Sequence, residues 1–313
     1  MTGLTSPTIV VGFDGSARGE DAIELGSLLA DLLSARMVAV CAWSRPALSG
    51  AGDALTRVLR EEAERIAGQA VRMASTPVEA AIAVEEVAPA RALARVAAER
   101  EASLVVVGSS HRGTLGRLAV GSVPERLLHE DGVAVAVAPA GYVTGEPPAL
   151  SSVGVGFDGS PSAQAALALA AVIARAARVP LRVFGVIGPE LVGPFPATLN
   201  TDARAAHIAA IRAREQIALE HAVAELRGAG LEIVVEPRLG DPASSLEARS
   251  RELGLLVLGS HGYGALRRVL HNSVSTHLTR SAACPLIVVP PSSKLVRAAN
   301  EQATAAASAG AGR

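Results

Sequence analysis

The chain spells out its landmarks twice. Val11-Gly-Phe-Asp-Gly-Ser16 returns unchanged as Val155-Gly-Phe-Asp-Gly-Ser160, and Val107-Gly-Ser-Ser-His111 is echoed by Leu258-Gly-Ser-His-Gly262. Gly121-Ser-Val123 and Asn272-Ser-Val274 then follow in the same order. Two copies are too few for a solenoid, whose units need about three neighbours or more to bury their faces. A tandem pair of domains with one fold is expected, over residues 1–145 and 146–295. The boundary falls in Gly141–Ser151, a stretch holding Gly145, Pro147 and Pro148. Residues 296–313 are rich in Ala, Ser and Gly without periodicity and read as a disordered tail.

Within each copy, short β-branched runs alternate with longer helical patterns. Strands are expected at Thr8–Phe13, Met37–Trp43, Val78–Val87, Leu104–Val107 and Val133–Ala138. Helices are expected at Arg18–Ser34, Asp53–Ser75, Pro89–Glu101 and Val123–His129. The second copy repeats the order, with strands at Val153–Phe157, Leu181–Ile187, Leu231–Pro237, Leu255–Leu258 and Leu286–Val289. Its helices are Ser162–Arg178, Thr201–Arg227, Pro242–Leu253 and Val274–Arg280. Alternation of this kind implies an α/β class: doubly wound parallel sheets, right-handed crossovers and helices on both faces. Ligands of such sheets sit beyond the carboxyl ends of the strands, where strand order reverses.

Composition narrows the chemistry. Half the residues are apolar and 19% are charged, enough for a real core. The 29 basic and 30 acidic residues leave a net charge of −1, which argues against a nucleic-acid surface. Aromatics at 2% leave little for base-stacking platforms. The one lysine, Lys294, lies beyond the last apolar segment, so a Walker lysine, a Schiff-base lysine and a kinase strand lysine are all excluded. Two cysteines, Cys41 and Cys284, make neither a disulfide framework nor a Cys-rich metal site. The seven histidines show no ligand spacing, and His271 and His277 do not share a helical face. The longest apolar stretch, Ala165–Ala174, falls short of the roughly 20 residues that span a bilayer. A cytoplasmic protein without membrane contact is expected.

Two features at the strand ends carry chemistry. A glycine just after a strand lets the backbone approach a ligand, and Gly-Ser at a helix start offers free N–H groups and the positive end of the dipole. Gly108, Gly113, Gly116, Gly121 and Ser122 supply this in the first copy, and Gly259, Gly262, Gly264 and Ser273 in the second. The alternative is a plain connection with a capped helix. Asp14 and Asp158 end the first strand of each copy and precede Gly-Ser. Each is either a turn former or an acceptor for a ribose or base amine at the crevice. Arg112, Arg117, Arg267 and Arg268 lie in the same loops and read mostly as solvated surface. Arg117 and Arg268 correspond, so one per domain could reach a triphosphate.

Taken together, these residues resemble the universal stress protein family in its tandem form. That family has an early strand ending in Asp and a loop of Gly, two residues, Gly, nine residues, Gly-Ser/Thr. Its last strand is of the Cys-Pro-Leu-Ile-Val-Val kind. The first copy offers Gly108, His111 and Gly121-Ser122; the second offers Gly259, Gly262, Asn272-Ser273 and Cys284-Pro-Leu-Ile-Val-Val289. The resemblance covers about residues 6–291 and implies a five-stranded parallel sheet of order 3-2-1-4-5 in each domain. It also implies ATP or another adenine nucleotide at the strand ends, with Mg²⁺ or Mn²⁺ bridging its phosphates where an ion is used.

Carried over from the family, adenosine contacts are Gly12, Asp14, Ala42 and Val107, with Gly156, Asp158, Val186 and Leu258 in the second domain. Phosphate contacts are Gly108, Gly121, Ser122 and Val123, with Gly259, Gly262, Ser273 and Val274. His111 and Asn272 each stand where the family has glycine and take room from phosphate oxygens. Asn is the milder replacement at a left-handed position, which favours the second domain. The family also implies antiparallel pairing of last strands, here Val133–Ala138 with Leu286–Val289 inside one chain, because bare apolar edges aggregate. A homodimer beyond this pseudo-dimer is a further option. The expected function is a nucleotide-binding stress or regulatory protein without catalysis; the alternatives are a slow ATP-hydrolysing enzyme and a structural module with empty crevices.

Overall fold

The computed structural model describes residues 6–45, 53–109, 123–129, 132–143, 150–192, 200–227, 230–260 and 274–298. The first copy runs β1 (Thr8–Gly12), α1 (Ala17–Leu32), β2 (Arg36–Trp43), α2 (Asp53–Met73), β3 (Val78–Glu85), α3 (Pro89–Glu99), β4 (Leu104–Gly108), α4 (Val123–Leu127) and β5 (Ala134–Ala138). The second begins β6 (Val153–Gly156), α5 (Pro161–Ala177), β7 (Leu181–Ile187), α6 (Pro189–Val192) and α7 (Thr201–Val223). It ends β8 (Ile233–Leu239), α8 (Pro242–Ser250), β9 (Leu255–Gly259), α9 (Val274–Ser281) and β10 (Leu286–Val289). The short α6 falls in a stretch without sequence periodicity, so no pattern announced it.

All ten strands form one sheet of order β3-β2-β1-β4-β5-β10-β9-β6-β7-β8. Each half is parallel and follows the expected 3-2-1-4-5 order. The halves meet where β10 pairs antiparallel with β5, with Leu286 opposite Val137, Ile287 opposite Ala136 and Val288 opposite Val135. Both strands are fully buried. The apolar edges expected to need a partner thus cover each other. The outer strands left at the sheet's ends, β3 and β8, carry Glu79 and Glu85, and Glu236 and Arg238. Charge on such edges discourages further strand addition.

Parallel strands buried on both faces need near-continuous apolar runs, and Ile9, Val10, Val11 and Leu104–Val106 are wholly inaccessible. On one face, α1 and α5 join both halves in a single core containing Ile23, Leu25, Leu169 and Ile173. On the other, α3 and α4 cover one cluster and α8 and α9 another. Asp21, only 2% exposed, accepts the Gly141 (2.9 Å) and Val143 (3.0 Å) amides, so the start of the inter-domain link is tied onto α1 around buried Tyr142. Across the junction Arg280 on α9 pairs with Glu125 on α4.

The first residues of the stretch expected as tail, 296–298, continue a helical turn. Residues 294–298 are helical, Leu295 is fully buried and Val296 packs against the main core. Residues 299–313 lie outside the described residues.

Candidate functional site

Each half opens a crevice at the carboxyl ends of its strands, between its first and fourth strands, where strand order reverses. The backbone there follows from Asp-Gly-Ser. Asp14 Oδ1 accepts the Ser16 amide at 3.0 Å, and Asp158 Oδ1 the Ser160 amide at 3.0 Å. Between them Gly15 (φ +78°) and Gly159 (φ +77°) take a left-handed conformation that a side chain resists. Ser16 and Ser160 then cap α1 and α5, accepting from Gly19 and Ala163. The turn-forming role of the two aspartates and their place in the crevice therefore coexist. Oδ1 of Asp14 holds the turn, and among the described residues Oδ2 accepts no hydrogen bond.

Gly108 and Gly259 serve packing directly. A Cβ on Gly108 would stand 2.3 Å from the Arg18 carbonyl oxygen, and one on Gly259 would stand 2.6 Å from Ser162 Oγ and 2.7 Å from its carbonyl carbon. Bare glycine is what lets β4 and β9 end against the first turn of α1 and α5.

The first crevice brings together Gly12, Asp14, Ala42, Val107, Gly108 and Val123 from the sequence-derived set. The second brings together Gly156, Asp158, Val186, Leu258, Gly259 and Val274. His111, Gly121, Ser122, Gly262, Asn272 and Ser273, with the four loop arginines, lie outside the described residues. Sequence reading missed the opposite wall, formed by Pro89 and Leu93 on α3 and by Pro242 and Leu246 on α8. Their matching spacing from the helix-opening prolines was the available signal.

The two crevices differ sharply in size. The first encloses about 300 Å³, the second about 60 Å³. Strand register shows why. Gly12 pairs with Val40 and Gly156 with Phe184, so Phe184 and Val186 stand where the first half has Val40 and Ala42. Likewise Val11 pairs with Val106 and Val155 with Val257, which places Leu258 at the position of Val107. Leu258 crowds Gly156 so closely that a Cβ there would meet it at 2.7 Å. The wider site is thus the first, because side chains on two strands, β7 and β9, narrow the second.

A second wall residue distinguishes the halves. Arg18, on the first turn of α1, lines the first crevice, and its Nη1 donates to the Ser109 carbonyl at 3.3 Å and to the Ser109 hydroxyl. Its counterpart Ser162 is buried and lies 3.2 Å from the Ser160 hydroxyl. Neither cysteine is poised for chemistry. Burial, then Asp14 and Glu62, push the Cys41 thiol up to about 11, and burial pushes Cys284 up to about 12. Thiols in apolar surroundings of this kind are inert. Among the described residues no group of three or more His, Cys, Asp and Glu gathers to hold a metal. No described helix is long and apolar enough to cross a membrane.

Two doubly wound halves with strand-end crevices define an α/β architecture, and comparison supplies the family. The model of the universal stress protein family matches residues 6–139 and again 150–290. The chain is 30% identical over 234 residues to Universal stress protein Rv2005c of Mycobacterium tuberculosis (strain ATCC 25618 / H37Rv), covering 73% of this chain and 77% of that protein. It is likewise 30% identical over 199 residues to a universal stress protein of Mycolicibacterium smegmatis, covering 62% and 64%. Among solved structures, a universal stress protein from Archaeoglobus fulgidus aligns over 92% of this chain and 97% of its own, with a TM-score of 0.65 at 18% identity. A functionally unknown protein from Pseudomonas aeruginosa PAO1 aligns over 96% and 98%, with a TM-score of 0.58 at 15% identity. The chain belongs to the universal stress protein family, in tandem form.

Proposed function

We propose that this chain is a cytoplasmic stress-response regulator that binds one adenine nucleotide, in its first crevice, and signals through shape or partner binding without catalysis. The observation that carries this is the 300 Å³ crevice at the β1/β4 reversal, lined by Asp14 and by the open backbone of Gly12 and Gly108. Ligand pockets begin at about this volume. Asp14 accepts from the ribose hydroxyls or a base amine, the apolar strand ends pack against the base, and the phosphates extend toward α4. A divalent ion, where used, is held by the phosphates. The second crevice, at about 60 Å³, has room for a few waters.

Denaturing the purified protein and identifying released small molecules by mass spectrometry is the first test, with adenine nucleotide expected. Calorimetric titration of nucleotide-free protein with ATP is expected to give about one site per chain, weakened by Asp14→Ala and unaffected by Asp158→Ala. Absence of binding at millimolar ATP overturns the proposal in favour of a structural module. Steady ATP turnover above roughly 1 s⁻¹, within ordinary enzyme rates, replaces it with an enzyme.

A further inference from the structure

We infer that Arg18 makes the first crevice selective for phosphorylated ligands over the bare nucleoside, a specificity determinant replaced by Ser162 at the matching position of the second half. The contrast with the second half is that of matching positions, Arg18 against Ser162; the inference rests on the nucleotide-binding reading above and adds to it the residue that senses phosphate.

Position comes first. Gly108 brings the end of β4 against the first turn of α1, so close that no Cβ fits between Gly108 and the Arg18 backbone. That contact plants Arg18 beside the strand end and lets its guanidinium reach Ser109, the residue after β4. Asp14 and Arg18, four residues apart across the Asp-Gly-Ser turn, therefore line one cavity with Gly108 and Val123. An acid and a fixed cation in one crevice match a ligand that carries hydroxyl or amine donors and an anionic group.

Chemistry comes second. The guanidinium is charged at every physiological pH and presents a planar fork of donors that fits two phosphate oxygens at once. Its neutral bonds to Ser109 hold it at the rim, and a phosphate offers it a stronger, charge-assisted acceptor. Arg18 also lines the adjoining cleft of about 500 Å³ between the halves, with Ser109 and Pro139 on one side and Arg280 and Cys284 on the other. Arg18 thus borders both the first crevice and this cleft. In the second half the same helical position holds Ser162, which is buried and neutral, so that crevice has no equivalent cation at this point of the fold.

The test measures binding of ATP and of adenosine, separately, to the full chain and to Arg18→Ser, Arg18→Met and Arg18→Lys. Arg18→Ser copies the second half; Arg18→Met keeps most of the apolar stem and controls for packing. For both, ATP affinity is expected to fall about tenfold to a hundredfold, as loss of a hydrogen bond to a charged group predicts. Adenosine affinity is expected to hold within about twofold, below the smallest effect of losing one ordinary hydrogen bond. Arg18→Lys should recover part of the loss, keeping charge without the fork. The salt dependence of ATP binding should be shallower in Arg18→Ser and Arg18→Met than in the wild type. Wild-type protein that binds ATP no tighter than adenosine overturns the inference and leaves nucleotide binding standing. An equal loss for both ligands in Arg18→Met overturns it too, reducing Arg18 to a piece of wall. Wild-type protein that binds neither ligand overturns the nucleotide reading itself, and this inference with it.

Discussion

In the first crevice Val40, Ala42 and Val107 line the space beside Asp14; in the second, Phe184, Val186 and Leu258 stand at the same register beside Asp158. Main-chain path, Asp-Gly-Ser turn, helix cap and strand-end glycine are alike in both. Volume differs about fivefold, from about 300 Å³ to about 60 Å³. The comparison teaches that an identical Val-Gly-Phe-Asp-Gly-Ser signature fixes the scaffold of a crevice and says nothing of its capacity. Capacity is set by three strand side chains whose identity no motif records.

The strongest way to break the comparison is to give the second half the first half's lining. Phe184→Val, Val186→Ala and Leu258→Val together remove buried atoms from a packed cluster. A loss of about 3–5 kcal/mol in urea unfolding is expected, together with a second ATP-binding event in calorimetry. Next come the strand-end glycines. Gly108→Ala sets a methyl against a backbone oxygen and should lower stability by about 2–3 kcal/mol. Gly259→Ala should cost a similar amount, since behind the Ser162 hydroxyl its Cβ also meets backbone atoms at 2.7 and 2.8 Å; a much smaller loss would show that the start of α5 yields there.

Much of this architecture was legible beforehand. Strand-and-helix alternation gave the parallel halves, and the apolar runs Ala134–Ala138 and Leu286–Val289 demanded the partner that each finds in the other. The Asp-Gly-Ser turn and the strand-end glycines located both crevices. What stayed hidden were contacts between residues far apart in sequence. Leu93 and Leu246 lie inside the expected helices, and only packing sets them across from the strand ends. Nothing in the sequence sets Asp21 apart within the expected helix Arg18–Ser34, yet it holds the inter-domain link 120 residues away. Val186 and Leu258 are adenosine contacts by the family resemblance; that their bulk, with that of Phe184, narrows the second crevice follows only from laying one half over the other.

Smaller effects sharpen the picture of how the halves are held. Glu125 is about 10% exposed at its side chain and meets Arg280 from the opposite half. Arg280→Ala should lower stability by about 1 kcal/mol, since solvent screening at the half-exposed arginine brings the pair down toward the range of surface ion pairs, measured by thermal or urea unfolding. Arg280→Lys should retain part of it. A last effect is alkaline. Folding raises the Cys41 and Cys284 thiols from 9.0 to about 11 and about 12. Their neutral forms therefore favour the native state fully below pH 9, and that contribution drains away as pH climbs from about 9 toward 11 and 12. Cys41→Ala with Cys284→Ala should flatten the fall of stability across that window; an unchanged slope would assign it to other groups.

The antiparallel seam between β5 and β10 has a consequence for how such a molecule can change over time. Were the halves separate identical chains meeting along that seam, every substitution would land in both recesses at once, and neither could be filled in while the other stayed hollow. Covalent fusion lifts that bond of symmetry. One recess is free to harden into ballast that steadies the seam, and its twin is left to specialise.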